Sequence, residues 1–295
     1  MKDLEKLLFD AQLNVECERD FDMAKAATIR VGGKAAFAFF PKSIKELIRL
    51  SDVFDDADIP FLILGKMSNV LPPDGYFEKP LVFTTKLIAM EFSKTVFAEA
   101  GVTTGAFLKA CAKHGKTGAE FLAGIPCTIG GAAYMNAGAS GKYISDIVKR
   151  VLVYLEKKLR LLPKNKCGYS YKKSKFMEDE GLILGVEFLL DEGTEKDILE
   201  NKRYVLKNRE WLPKGYSMGC VFKNPLGDCA GRLIDGAGLK GLRIGGAVVS
   251  DIHANFIINE GGATAEEIKQ LISIVKNAVY AQYKIELEEE IQILN

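Results

Sequence analysis

Apolar positions along this chain recur at two spacings, and the alternation between them sketches the elements. Residues 2–13 read as an N-terminal helix. Ile44, Leu47 and Ile48 continue at helical spacing behind Ser43 and Glu46, a capping-box pair. The segment AAFAFFP before that helix, and Phe61–Leu64 after it, read as strands, the second running directly into Gly65-Lys66-Met67-Ser68-Asn69. Strand, helix, strand and a polar glycine turn predict a βαβ-like nucleotide lobe, although G-x-G-x-x-G is absent. Between about residues 80 and 102 the pattern predicts an antiparallel pair, LVFTT with KTVFAEAG, followed by a helix near 103–114. Strands resume at VKRVLVYL, KLRLL and LILGVEFLL.

Near Asp191 the pattern changes to a long charged helix, GTEKDILENKRYVLKNREWL, with a solvated surface. A domain boundary is expected there. Residues 1–190 form one domain of two lobes (about 1–78 and 79–190), and residues 191–295 form a second. A second glycine-rich region covers Ala230 to Gly246. The last helix opens on the capping box Thr264 and Glu267 and buries Ile268, Leu271, Ile272, Val275 and Val279.

The least ordinary stretch is Gly124 to Gly138, GIPCTIGGAAYMNAG. Small residues at this density let the backbone approach a ligand and leave N–H groups free to cradle phosphate. The same composition also suits close helix–strand packing. Composition acts mainly by exclusion. A net charge of +1 over 295 residues disfavours broad binding to nucleic acid or anionic membrane. The N-terminus lacks a signal-peptide pattern, and no apolar run reaches the roughly 18 residues of a membrane span. Six cysteines without a C-x-x-C pair, and only two histidines, predict no metal site and a reduced, cytoplasmic setting.

Several segments, in order, resemble one family, the UDP-N-acetylenolpyruvoylglucosamine reductases (UDP-N-acetylmuramate dehydrogenases). The strongest is GIPCTIGGAAYMNAGASGKYISDIV, then GCVFKNP and AGRLIDGAGLKGLRIGGAVVSDIHANFIIN. TIRVGG, ILGKMSN, YSYKKSKF and LEEEIQIL add to it, so the resemblance runs from about Thr28 to the end. It is to the shorter subtype. It implies an α+β fold: a two-lobed FAD-binding domain of the vanillyl-alcohol-oxidase type plus a C-terminal α+β substrate-binding domain. It implies non-covalent FAD, NADPH as reductant, and an enolpyruvyl sugar nucleotide of peptidoglycan precursor synthesis as substrate. A monomer is expected. The alternative is a catalytically impaired flavin- or nucleotide-binding paralogue.

By motif position, the resemblance makes Cys220 the proton donor, Lys172 the cationic stabiliser and Glu290 the carboxylate completing the site. FAD contacts are expected from Gly65, Lys66, Ser68 and Asn69 in one loop. In the other they are Gly124, Ile125, Pro126, Cys127, Thr128, Gly130, Gly131, Asn136, Ala137 and Gly138. Tyr134, Lys223 and Asn224 are candidate substrate contacts. Four positions depart from the family. Cys220 stands where serine is common, and a thiol is the better acid. Lys172 replaces arginine, keeping the charge and losing the bidentate fork. Met67 and Cys127 replace glycines, where a side chain restricts positive φ and close backbone approach. Met67→Gly is therefore expected to tighten FAD. His253 is assigned a structural hydrogen-bonding role, and Lys240 an ordinary place in a packing loop.

Overall fold

A computed structural model describes residues 2–178 and 181–295. The chain divides into two compact units. The first comprises residues up to Arg19, Phe37–Lys66 and Lys79–Arg209; the second comprises Asp20–Ala36, Met67–Glu78 and Glu210–Asn295.

In the first unit, the end of the strand Lys34–Phe39 and the strand Leu62–Leu64 both pair in parallel with Leu81–Phe83, which lies between them. The helix Ile44–Asp56 makes the crossover. Ser43 Oγ accepts from Glu46 N at 3.1 Å, and Leu47, Leu50 and Phe54 turn inward. This is the predicted βαβ unit. The pairing predicted for LVFTT is corrected: Leu81–Phe83 belongs to this parallel sheet and does not pair with KTVFAEAG. Its three residues are all buried, as a strand covered on both faces requires, so alternation could not identify its partner. The strand Val96–Glu99 instead forms a hairpin with Met90–Phe92.

That hairpin ends a five-stranded antiparallel sheet. Its order is Lys158–Pro163, Val148–Leu155, Leu182–Phe188, Val96–Glu99, Met90–Phe92. Leu182–Phe188 is buried along its whole length, Glu187 included. The Glu187 carboxylate accepts from Arg150 Nε at 2.5 Å, Thr95 Oγ1 at 2.8 Å and Lys149 Nζ at 3.2 Å. Charge and hydrogen bonds, Arg150 foremost, outweigh burial and hold its pKa down at about 2. Helix Thr104–Lys113 packs on this sheet, with the rings of Phe107 and Phe188 at 4.8 Å. The charged helix Glu195–Lys207 also belongs to the first unit; Ile198 is its one buried residue. The N-terminal helix, Lys2–Asp10, stops short of its predicted end.

The second unit is built on a three-stranded antiparallel sheet, Arg243–Ile244, Ala247–Val249 and Ile257–Asn259. Helix Ala265–Tyr283 carries the predicted capping box and buries the five predicted residues. Asp74 adds to the cap, accepting from Ala265 N at 2.6 Å and Glu266 N at 3.0 Å. The strand Gln292–Ile293 runs parallel to Val70–Leu71. Among the described residues no helix is long and apolar enough to cross a membrane, and no cluster of His, Cys, Asp and Glu could hold a metal ion.

Candidate functional site

In the first unit the two predicted cofactor loops meet. A Cβ on Gly65 would lie 2.4 Å from Thr128 Oγ1, so glycine is what lets the ILGK turn reach the Gly124–Gly138 loop. The loop's backbone donors are largely spoken for. Ile129 N and Gly130 N donate to the carbonyls of Val102 and Ala100, each at 2.8 Å, and Cys127 N donates to Ile125 O at 3.0 Å. Gly131 N donates to Thr128 Oγ1 at 3.3 Å, capping the short helix Ile129–Tyr134. The expectation of N–H groups left free for phosphate is therefore corrected at these four residues. Gly130 serves packing, since a Cβ there would fall 2.8 Å from that of Ala100. Gly124, with φ +80°, and Pro126 are exposed, and Ile125 and Gly131 are half-buried. Ala137 and Gly138 lie in the tight turn that pairs Gly138–Ala139 with Lys142–Tyr143.

Cations converge on this loop. Burial pushes the Cys127 thiol up to about 12, while the charges of Lys66 and Lys172 pull the other way. Lys66, Cys127 and Lys172 therefore share one locality. Cys127 does not adopt positive φ, so cysteine replaces glycine there without backbone strain.

Lys172 sits in a tight turn. Ser170 N donates to Lys173 O at 3.0 Å, and Lys173 N returns a bond to Ser170 O at 3.2 Å. Lys172 itself has φ +53°, a left-handed backbone that a non-glycine residue keeps only when its surroundings impose it. They do. Asn136, buried, donates through Nδ2 to Ser170 O at 2.7 Å and accepts through Oδ1 from Ser145 N at 3.2 Å. Ser174 Oγ donates to Tyr134 O at 2.6 Å. The side chain of Asn136 thus holds the Lys172 turn.

In the second unit Met67 has φ +49°, the backbone that glycine favours, yet only 2% of the residue is exposed. Its side chain is covered by protein. Ser68 is half-buried beside it, and Asn69 Nδ2 donates to Glu290 O at 2.9 Å while Gln292 N donates to Asn69 O at 2.9 Å. Cys220 and Glu290 come together through the backbone. Cys220 bridges to Phe256 on one side. On the other, Glu290 N donates to Val221 O at 2.7 Å and Lys223 N donates to Glu288 O at 2.8 Å.

Around them, the Lys223 ammonium pairs with the Glu288 carboxylate. Asn224 Oδ1 accepts from Ala230 N at 3.0 Å, at the start of helix Ala230–Gly236. His253 Nδ1 accepts from Asn255 N at 3.2 Å, and burial lowers its pKa, which keeps the ring neutral with its proton on Nε2. Its ring stacks on Trp211 at 5.5 Å, as a structural residue would. Lys240 pairs with Asp235 at 2.8 Å. Asn255 was not singled out from sequence. Its signal was a lone amide between Ala254 and Phe256, in a run that is otherwise apolar.

The family described as "UDP-N-acetylenolpyruvoylglucosamine reductase, C-terminal domain" matches residues 212–294, and "FAD binding domain" matches residues 35–157. The UDP-N-acetylenolpyruvoylglucosamine reductase of Caldicellulosiruptor saccharolyticus is 38% identical over 293 residues, covering 96% of this chain and 93% of that protein. That of Carboxydothermus hydrogenoformans is 38% identical over 277 residues, 92% of each chain. The crystal structure of the Thermus caldophilus reductase superposes with a TM-score of 0.82 at 31% identity, covering 96% of this chain and 99% of that one.

Proposed function

This chain belongs to the UDP-N-acetylenolpyruvoylglucosamine reductase family, and we infer that it reduces UDP-N-acetylglucosamine enolpyruvate to UDP-N-acetylmuramate with FAD and NADPH. Its fold is the vanillyl-alcohol-oxidase-type FAD-binding fold with a C-terminal reductase domain. The observation that carries the activity is similarity to reductases sustained over nearly the whole chain. The residues present suit FAD. Lys66, next to Gly65, supplies positive charge at a loop of small residues, complementing an anionic pyrophosphate. Gly65, Ser68, Asn69 and the Gly124–Gly138 loop are the remaining contacts we propose.

Bound FAD supplies the hydride chemistry, with NADPH as the source of the electrons. The chain's own residues handle charge and proton. As hydride adds to the β-carbon of the enolpyruvyl double bond, negative charge grows on the α-carbon and its carboxylate. The Lys172 ammonium stabilises that charge. The Cys220 thiol then gives its proton to the α-carbon, and solvent returns a proton to the sulfur. Glu290, held by the hydrogen bond from its N–H to Val221 O, orients this end of the site. Tyr134, Lys223 and Asn224 are proposed substrate contacts. We assign residues 1–190 to FAD binding and 191–295 to the substrate; the two family matches, over 35–157 and 212–294, fall within these spans, while the helix Glu195–Lys207 packs in the first compact unit. We further propose that the protein is a cytoplasmic monomer.

An anaerobic visible spectrum tests it. A flavin band that NADPH bleaches and the enolpyruvyl sugar nucleotide restores is the expected result. Flavin that is bound and bleached but never restored by that substrate overturns the assignment.

A further inference from the structure

Cys220 acts as a proton donor only if its side chain is aimed, and the half-buried loop around it needs something to hold its pitch. We propose that Asn255 is the positioning residue for Cys220, an inference that rests on the reductase reading above. Asn255 makes three hydrogen bonds to two consecutive residues of the Cys220 loop. Its carbonyl accepts from Val221 N at 2.8 Å, its Oδ1 accepts from Phe222 N at 2.9 Å, and its Nδ2 donates to Phe222 O at 2.8 Å.

An antiparallel strand exchanges both bonds only with alternate residues of its partner. Asn255 bonds consecutive residues because its side-chain amide has the donor and acceptor of a second peptide group. Those bonds fix the peptide planes of Val221 and Phe222, the two residues that follow Cys220. The opposite edge of the same segment pairs with Glu288–Glu290, so the Cys220 segment is held from both sides.

The base of the clamp is firm. Asn255 is 3% exposed, so water does not compete for its amide. Its own N–H donates to His253 Nδ1, and the His253 ring lies against Trp211 and Phe256, at 5.5 and 5.0 Å between ring centres. This gives His253 its function at one remove, as the support of Asn255.

The test uses the full-length FAD-loaded protein and separates the two half-reactions by anaerobic stopped flow. Asn255→Asp keeps the shape but turns a carboxylate oxygen toward Phe222 O. Asn255→Ala removes both side-chain bonds of the clamp, and the isosteric Asp variant carries the test if Ala does not fold. Flavin reduction by NADPH is expected to stay within about twofold of wild type. Reoxidation at saturating enolpyruvyl substrate is expected to fall roughly 10- to 100-fold, the size of effect that small misplacements produce. In a Cys220→Ala background, Asn255→Asp is expected to slow reoxidation no further, because it acts through Cys220. Equal loss in both half-reactions, unchanged reoxidation, or the full loss persisting without Cys220 would each overturn the proposal. Wild-type protein that the enolpyruvyl substrate fails to reoxidise would instead overturn the reductase reading itself.

Discussion

Met67 poses a sharper question than any other departure from the family pattern, because two effects of opposite sign meet there. Its φ of +49° carries left-handed strain of about 1–2 kcal/mol that glycine would relieve. Its side chain is 98% covered, however, and deleting such a side chain costs about 2–5 kcal/mol. Glycine also frees the unfolded chain, a further cost of about 0.5–1 kcal/mol relative to alanine. Burial wins, so Met67→Gly is expected to destabilise the protein by about 0.5–5 kcal/mol, despite restoring the family's usual residue. Met67→Ala isolates the strain, since it loses the same packing and keeps the same φ. Glycine should therefore match or exceed alanine by up to about 1 kcal/mol, reversing the order found at an ordinary backbone position. Urea denaturation of the three proteins measures both differences. Because the side chain is covered by protein, FAD affinity by fluorescence titration should stay within about twofold, contrary to the tightening expected from sequence. Glycine clearly less stable than alanine would refute the strain argument. A tenfold gain in FAD affinity would refute the placement of the side chain.

Four further outcomes are expected. The Glu187 carboxylate, held at about 2 against an ordinary 4.5, stabilises the fold fully above pH 4.5, and that contribution fades as pH falls toward 2. Glu187→Gln should cost on the order of 2 kcal/mol at pH 7 and flatten the acid limb of a stability–pH profile; an unchanged limb refutes it. Cys220→Ala should leave flavin reduction by NADPH nearly intact and slow reoxidation by the enolpyruvyl substrate at least about a hundredfold; equal loss in both steps would remove Cys220 from the proton-donor role. Lys172→Arg should speed reoxidation several-fold by restoring a bidentate fork to the substrate carboxylate, with pre-steady-state kinetics as the measure and a slower step as the contrary result. Cys127, half-buried and with its thiol pushed up to about 12, should resist iodoacetamide at pH 8 in the folded protein, as peptide mass mapping would show; rapid labelling would contradict the raised pKa.

Much of the fold was legible because its signals are local. Ser43 and Thr264 each cap the helix that follows them, as their capping-box spacing predicts, and the buried face of Ala265–Tyr283 follows its apolar spacing residue for residue. The reading failed where a partner lay far along the chain. Leu81–Phe83 carries no mark of which strand it joins, since burial on both faces erases alternation. The Gly124–Gly138 loop could not reveal that Ala100 and Val102 take up its N–H groups. Cys220, Lys172 and Glu290 are proposed from motif position alone. The asparagines that hold their surroundings (Asn255, Asn136 and Asn69) show their purpose only when folding brings them to a distant backbone.

The second unit draws on three stretches of chain, and the last begins about 130 residues after the middle one ends. On a ribosome adding about 5–20 residues per second, Met67–Glu78 waits roughly 7–25 seconds, and Asp20–Ala36 roughly 9–35 seconds, before Glu210–Asn295 begins to emerge. Asp74 waits longer still, about 10–40 seconds, for the helix terminus it caps, 191 residues further on. A nascent chain arrested before residue 210 therefore exposes two unfinished segments, making this unit the point at which chaperones have the longest time to act.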